Sequence, residues 1–492
     1  MRKILGLLLF LGIAVASCKR DVKEGEQLAK QYCASCHMLP SPALLPQNVW
    51  KYSTLPYMGI MLGVSHEIDQ LEKPLSDYAI MRPASQMIPD EDWEKIKEYY
   101  LSEAPKELAM PTYPALTEEN ELFAIEDLGV SKANATIPNF TAVRIDTLKH
   151  QIVAGDQSNR VIWVLDATGK PKQQLENQDA LTYIEPWKGQ YLFTFIGTTT
   201  QANPDVNGSI KAYTSGEPNM LIKGLNRPIE LKARDLDGDG QDELISSEFG
   251  FMQGGMSVWK KKGTNWTKKT LNPQTGATHV DVRDFNGDGR LDIVALFAQG
   301  DERIMLYTNK GGLNFEETRL LRFPSIYGTS SFDMGDVDGD GDLDIVCTAG
   351  DNADFSTILK PYHGVYVYTN QGNMTFKQQA FYPQNGATKV MLADLDADGD
   401  QDMLSIALFP DVANRPAEGL IYFENTGKAF NQRSIPVNHL GRWSVMDIAD
   451  IEGDGDLDVV LGSHAVAKFP AGGFDPAWKT AKGILILRNK KR

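Results

Sequence analysis

From residue 235 onward a nine-residue acidic pattern recurs five times: DLDGDGQDE, DFNGDGRLD, DVDGDGDLD, DLDADGDQD and DIEGDGDLD, starting at Asp235, Asp284, Asp336, Asp394 and Asp450. Starts 49 to 58 residues apart mark a repeat architecture and bound the fold before any single residue is weighed. Each repeat then has to be one supersecondary unit that buries its apolar face only against its neighbours.

Within each copy oxygen-bearing side chains occupy positions 1, 3, 5 and 9, and position 6 is glycine. The candidate ligands are Asp235, Asp237, Asp239 and Glu243; Asp284, Asn286, Asp288 and Asp292; Asp336, Asp338, Asp340 and Asp344; Asp394, Asp396, Asp398 and Asp402; and Asp450, Glu452, Asp454 and Asp458. Calcium takes six to eight hard oxygens, and this spacing matches the first part of an EF-hand loop, where glycine makes the sharp turn. So many adjacent carboxylates repel one another unless a cation lies between them.

The flanks read as strands, which excludes true EF-hands. An alternating run such as THVDVRD or TKVMLAD precedes each loop, and an apolar run such as LDIVALF or LDVVLGS follows it. A third run (RIMLYTN, GVYVYTN, GLIYFEN) and usually a fourth (FEETRLL, FKQQAFY) complete the unit. Four strands in about fifty residues make one blade of a β-propeller. These units resemble the FG-GAP/VCBS family, which includes the integrin α-subunit propellers; the resemblance implies calcium in the loop joining a blade's first two strands.

Two further units, from Phe140 and from Leu181, keep the strands without the acidic loop, giving seven blades over residues 121–492. The last blade stops after GILILRNKKR and lacks a fourth strand, which ENELFAIEDLG near residue 121 is expected to supply. Closure of that kind removes open sheet edges. The expected fold class is mainly β, a seven-bladed propeller with a small N-terminal all-α domain. Pro111 and Pro114 place a linker over residues 109–120.

Ahead of the linker, QYCASCHMLP sets Cys33 and Cys36 two apart with His37 directly after. C-x-x-C-H is the attachment signature of c-type haem: two thiols form thioethers and the adjoining imidazole ligates the iron. No second C-x-x-C is present for a four-cysteine zinc site. Helical flanks, Leu28 and Tyr32 on one side and IPDEDWEKIKEYYLSEAP on the other, argue against a thioredoxin-like pair. Asp90 is the expected N-cap of that second helix, with Trp93, Ile96 and Tyr100 on its apolar face. Residues 22–108 resemble a small class I cytochrome c domain. The resemblance implies a methionine sixth ligand, with Met87 first and Met81, Met61 and Met58 as alternatives, and a carbonyl at Pro40 orienting the proximal imidazole. His66 offers a bis-histidine alternative.

The first residues put Arg2 and Lys3 before an apolar run from Ile4 to Val15, the layout of a signal peptide over residues 1–17. Val15-Ala16-Ser17-Cys18 resembles a bacterial lipobox, which makes Cys18 the lipid-bearing residue; Ala14-Val15-Ala16 also fits simple cleavage. The expected location is the periplasm or cell surface, anchored to the outer membrane. Four cysteines, one of them Cys347 in a strand-like run, do not make a disulfide scaffold. A net charge of −16 argues against nucleic acid.

Two places invite a ligand. Long loops opposite the acidic ones carry Phe249, Phe251, Asp351, Phe355, His363, Asp411, Arg415, His464, Phe474 and Trp478. Near the start of the innermost strands, Glu230, His279, Ser331, Lys389 and Ser444 would ring a central channel. The expected function is electron transfer by haem c coupled to a calcium-stabilised propeller that binds a redox partner protein or a polar substrate at its rim. In a catalytic version His279 acts as base; the alternative is a non-catalytic adhesion or glycan-binding protein. No nucleophile-and-base spacing or phosphate loop names a reaction.

Overall fold

A computed structural model describes residues 22–71, 83–130, 137–351, 356–465, 473–480 and 483–491. Cys18, Met81 and Phe355 lie outside the described residues. The chain divides into two compact units, a small one made mostly of residues up to Pro111 and a large one made mostly of residues from Thr112 on.

The small unit is built of helices. Residues 22–32 form one that runs into the turn Cys33–Ser35. Leu55–Met61 and Asp90–Glu103 are the other principal ones. The last buries Trp93, Ile96 and Tyr100, as their spacing requires. Its N-cap is Pro89, and Asp90 is the first helical residue; proline presets the dihedral there, so Asp90 adds only its charge. Helix 22–32 crosses it at Gly25, where an added Cβ would stand 2.1 Å from the Lys95 carbonyl oxygen. Tyr32 Oη donates to Asp92 Oδ2 at 3.2 Å across the same crossing.

In the large unit the described residues form seven sheets. Blade 1 is Phe140–Asp146, Gln151–Asp156, Val161–Asp166 and Pro171–Glu176. Blade 2 is Leu181–Trp187, Gln190–Phe195, Gly208–Tyr213 and Asn219–Leu225. Blade 3 is Pro228–Arg234, Glu243–Glu248, Gly255–Lys262 and Asn265–Asn272. Blade 4 is Ala277–Arg283, Asp292–Phe297, Arg303–Asn309 and Phe315–Arg322. Blade 5 is Thr329–Gly335, Asp344–Ala349, Gly364–Asn370 and Phe376–Pro383. Blade 6 is Ala387–Ala393, Asp402–Ala407, Leu420–Asn425 and Phe430–Ser434, edged by Thr117–Glu118 in parallel. Blade 7 is Trp443–Ala449, Asp458–Ser463 and Ile484–Asn489, with Phe123–Asp127 as its outer strand, Phe123 opposite Asn489.

Cores lie between blades. Ile152, Ala154 and Trp163 of blade 1 pack with Val460, Ile484 and Ile486 of blade 7, and Ile245 and Val258 of blade 3 pack with Val280, Ile293 and Ala295 of blade 4. Second strands are therefore buried along nearly their whole length, because both of their faces are covered. Innermost strands contact each other in a closed cycle, blade 7 against blade 1 included.

Side chains on the inner strands stitch neighbours together. Asp447 of blade 7 accepts from Ile145 N of blade 1 at 2.7 Å and lies 3.4 Å from Arg144 Nη1. Replacing Asp447 by alanine leaves a buried backbone donor and a partly buried guanidinium unmatched. The expected loss is about 2 kcal/mol, read as a fall of about 2 to 3 °C in melting temperature, with Asp447→Asn losing less.

Candidate functional site

The acidic loops join first to second strands in blades 3 to 7, and each is organised by its first aspartate. Asp235 accepts from Gly238 N and Gly240 N at 2.8 Å, Asp336 from Gly339 N and Gly341 N at 2.8 and 3.0 Å, and Asp450 from Gly453 N and Gly455 N at 2.6 and 3.0 Å. The sixth-position glycines hold φ near +83 to +101°, a conformation that side chains resist, which is why that position is glycine in every copy. Position 4 is less strict, since Ala397 takes φ +60° there.

Position 9 opens each second strand and is buried: Glu243, Asp292, Asp344, Asp402 and Asp458 are at most 1% exposed. Asp344 accepts from Val337 N at 2.9 Å and Asn370 N at 2.8 Å; Asp402 accepts from Leu395 N at 3.1 Å and Asn425 N at 2.8 Å. Asn309, Asn370, Asn425 and Asn489 close the third strands of blades 4 to 7, and the amides of Asn309, Asn425 and Asn489 also donate to the preceding blade's loop at Leu236 O, Val337 O and Leu395 O. These asparagines are absent from the sequence-based candidates. Their recurrence at the end of YTN, YTN, FEN and LRN is the signal that could have found them.

Carboxylate oxygens converge in blade 3 (Asp235, Asp237, Asp239), blade 5 (Asp336, Asp338, Asp344) and blade 6 (Asp394, Asp396, Asp402), within 4.8 Å of one another in each. Oδ1 of Asp396 in blade 6 is buried and accepts no hydrogen bond, whereas Asp237 in blade 3 already meets Lys260 through its other oxygen. Hard oxygens left without donors suit a hard divalent cation, and Asp394, Asp396, Asp398 and Asp402 are the residues that would hold it in blade 6.

Burial, then the neighbouring carboxylates, push the Asp344 and Asp402 carboxyls up to about 6. Moving a carboxyl from near 4 to about 6 penalises its ionised form by about 3 kcal/mol. In a metal-free chain the folded state therefore holds protons that the unfolded state has released, and stability falls as pH rises from about 4 to about 6. A cation cancels that penalty. The difference in melting temperature between calcium and chelator is thus expected to widen as pH rises from 4.5 to 6 and to level off above 7, measured by paired melts.

The channel ring is occupied by the fold itself. Glu230 is 2% exposed; its Oε2 accepts from Val280 N of blade 4 at 3.1 Å and lies 2.6 Å from His279 Nδ1, and Lys232 Nζ is 2.8 Å from Oε1. Burial raises the Glu230 carboxyl, but His279 and Lys232 outweigh it and hold it well below the usual carboxylate range. Ser331 Oγ accepts from Val390 N at 3.0 Å, and Lys389 Nζ donates to Met446 O at 2.7 Å. Val445, not Ser444, is in register with His279 and Lys389; Ser444 Oγ instead donates to Phe140 O at 2.9 Å, as Thr182 does to Pro228 O at 3.0 Å. These groups bridge blades, and His279 is tied to Glu230.

The opposite loops also turn their polar groups inward. Arg415 Nε lies 3.0 Å from the fully buried Glu418 and stacks on Tyr113, 4.4 Å from the ring centre. Trp478 Nε1 donates to Asn438 O at 2.8 Å. Burial, then Arg442, bring the His464 imidazole down to about 4, and burial brings His363 well below its ordinary value, so both are neutral at pH 7.

In the small unit Cys33 and Cys36 are free thiols flanking one turn, Cys36 exposed. Burial and the neighbouring Cys36 push the Cys33 thiol up to about 11, opposite to the lowered thiol of an exchange-active pair. His37 Nδ1 donates to Met38 O at 2.9 Å, leaving Nε2 as the ligand atom. The Pro40 carbonyl does not take that role: it accepts from Tyr100 Oη at 2.9 Å, because the tyrosine needs a buried acceptor. Two thiols on one turn, Cys33 partly buried and Cys36 exposed, and an imidazole fixed through Nδ1 are residues that fit a covalently held haem. Met87 is 58% exposed, while Met58 and Met61 are partly buried on Leu55–Met61. His66 is exposed, 3.8 Å from Glu67 and Glu94.

A family model described as an FG-GAP-like repeat matches residues 235–295 and 294–347. No curated protein matches. Among solved structures, the N-terminal domain of Nup159 is 11% identical with a TM-score of 0.45, covering 77% of this chain and 98% of that one. BBS1N in complex with ARL6DN is 10% identical with a TM-score of 0.44, covering 74% and 95%. A luciferin-regenerating enzyme is 10% identical with a TM-score of 0.37, covering 75% and 97%. Residues 235–347 carry FG-GAP-like repeats, and the large unit around them is a seven-bladed β-propeller.

Proposed function

We propose that the chain is an exported binding protein whose calcium-braced propeller engages a partner protein or polar substrate at its rim and whose small unit carries one haem c for electron transfer. A propeller with FG-GAP repeats fits a binding or adhesion role. Support for the haem comes from one observation: Cys33, Cys36 and His37 follow a helix in a single turn, with the imidazole fixed through Nδ1. A bound haem would supply one-electron chemistry. The residues' own part is covalent attachment by the two sulfurs, ligation by His37 Nε2, and a distal thioether from Met87 in the first instance. Cys18, lipid-modified, would hold the chain at the outer membrane facing the periplasm or the cell surface. Among the described residues no helix is long and apolar enough to cross a membrane.

The channel favours a second reading, a non-catalytic adhesion or glycan-binding protein. Glu230, His279, Ser331 and Lys389 are taken up by contacts between blades, His279 through Nδ1 to Glu230. The test is the absorption spectrum of the mature chain made with haem-attachment machinery. A Soret band that survives acid–acetone extraction is expected; its absence leaves the second reading.

A further inference from the structure

The five acidic loops are not equivalent, and the difference lies on the third strand. The residue there opposite position 9 is Thr308 in blade 4, Thr369 in blade 5 and Glu424 in blade 6, but Lys260 in blade 3 and Arg488 in blade 7. Lys260 reaches into its loop: Nζ contacts Asp237 Oδ2, lies 2.8 Å from Asp239 Oδ2 and is 3.4 Å from Glu243 Oε1. It therefore meets three of the four candidate ligands of that loop at once. In blade 7 Arg488 Nη1 contacts Glu452 Oε1 and is 3.3 Å from Asp458 Oδ2, bridging positions 3 and 9. Its side chain is only 12% exposed, so the guanidinium is held in place.

The remaining loops differ. In blade 4 Arg290 belongs to the loop itself and contacts only Asp288, its Nε donating to Asn309 O at 2.8 Å. In blade 6 Lys491 touches only Asp396, at 3.4 Å, and is half exposed. Among the described residues no lysine or arginine pairs with Asp336, Asp338 or Asp344 of blade 5. The sequence marks the same two exceptions. Blade 3 has glutamate for aspartate at position 9 (Glu243) and Lys261 where the other blades have the linking asparagine; blade 7 has glutamate at position 3 (Glu452). A longer carboxylate meets a side-chain cation that arrives from the neighbouring strand. A divalent ion and a cationic group cannot share one set of carboxylates, because each needs the same oxygens and they repel each other.

We infer that Lys260 and Arg488 are built-in replacements for the metal, so that blades 3 and 7 are braced by an internal ammonium and guanidinium while blades 4, 5 and 6 take the divalent cation. This rests on the calcium reading above and assigns which loops it covers. The strand cation gives those two blades a brace that no chelator removes.

Metal content per folded chain tests it, by native mass spectrometry after equilibration in calcium and gel filtration. Three calcium ions are expected for the wild type, four for Lys260→Thr or Arg488→Thr, and five for the double variant. Lys260→Arg keeps a cation and stays at three, and circular dichroism identifies any variant that has lost the fold. Five ions in the wild type, or no gain in folded Lys260→Thr, overturns the assignment while leaving calcium binding intact. No calcium in any of these proteins removes the calcium reading itself and the assignment with it.

Discussion

Stripping calcium with EDTA is expected to lower the melting temperature of the propeller by about 10 °C at pH 7, with full recovery on adding calcium back. A ligand bound only to the folded state stabilises it by RT ln(1 + [L]/Kd), about 2.7 kcal/mol per site at a hundredfold excess over Kd. Three such sites give about 8 kcal/mol, and a domain of this size moves by somewhat over 1 °C per kcal/mol. The mechanism is local. In blades 5 and 6 the carboxylates of positions 1, 3 and 9 converge, with Asp344 and Asp402 fully buried, and without a cation they repel each other in a poorly solvated place. The loops also carry inter-blade hydrogen bonds through Asn425 and Asn489, so loosening a loop loosens the blade before it. Calorimetry with and without chelator measures the shift. A melt that does not move would show that the loops hold themselves.

Replacing both Cys33 and Cys36 by alanine is expected to abolish covalent haem, with complete loss of the Soret band from extracted protein. Either thiol alone supports one thioether, so each single variant retains less than half of the wild-type absorbance. His37→Ala keeps both thiols but removes the ligand, and it is expected to shift the band rather than erase it. That pattern separates attachment from ligation. Met87→Ala tests the sixth position: a lowered reduction potential supports a distal thioether, since thioether ligation raises it. Retention of the full band in the double cysteine variant would contradict thioether attachment at these residues.

The propeller was legible because two signals coincide at one period. Acidic nonapeptides mark the turn between first and second strands, and the apolar runs after them are strands covered on both faces, so DIVALF and DVVLGS read as core without ambiguity. Blades 1 and 2 were legible from the strands alone. What hid was everything decided between blades. Glu230 and Lys389 look like free polar groups in a one-dimensional pattern, and only the ring shows that Val280 N and Met446 O take up their hydrogen-bonding capacity. Lys260 and Arg488 were hidden for the same reason: each lies a whole strand beyond the loop it serves, and strand register alone brings them there. In the small unit the C-x-x-C-H stretch was plain, whereas Asp90 was misplaced by one position because Pro89 supplies the cap geometry.

The pairing of Phe123–Asp127 with Ile484–Asn489 has a consequence for how the protein is made. The first of these segments leaves the ribosome roughly 360 residues ahead of its partner, so the annulus cannot shut until all seven blades have been made. At ordinary elongation rates the waiting strand stays unsatisfied for about twenty seconds to a minute. During that interval an exposed β-edge is open to pairing with other chains, and a circular permutant that makes the two segments neighbours should fold faster and with less aggregation.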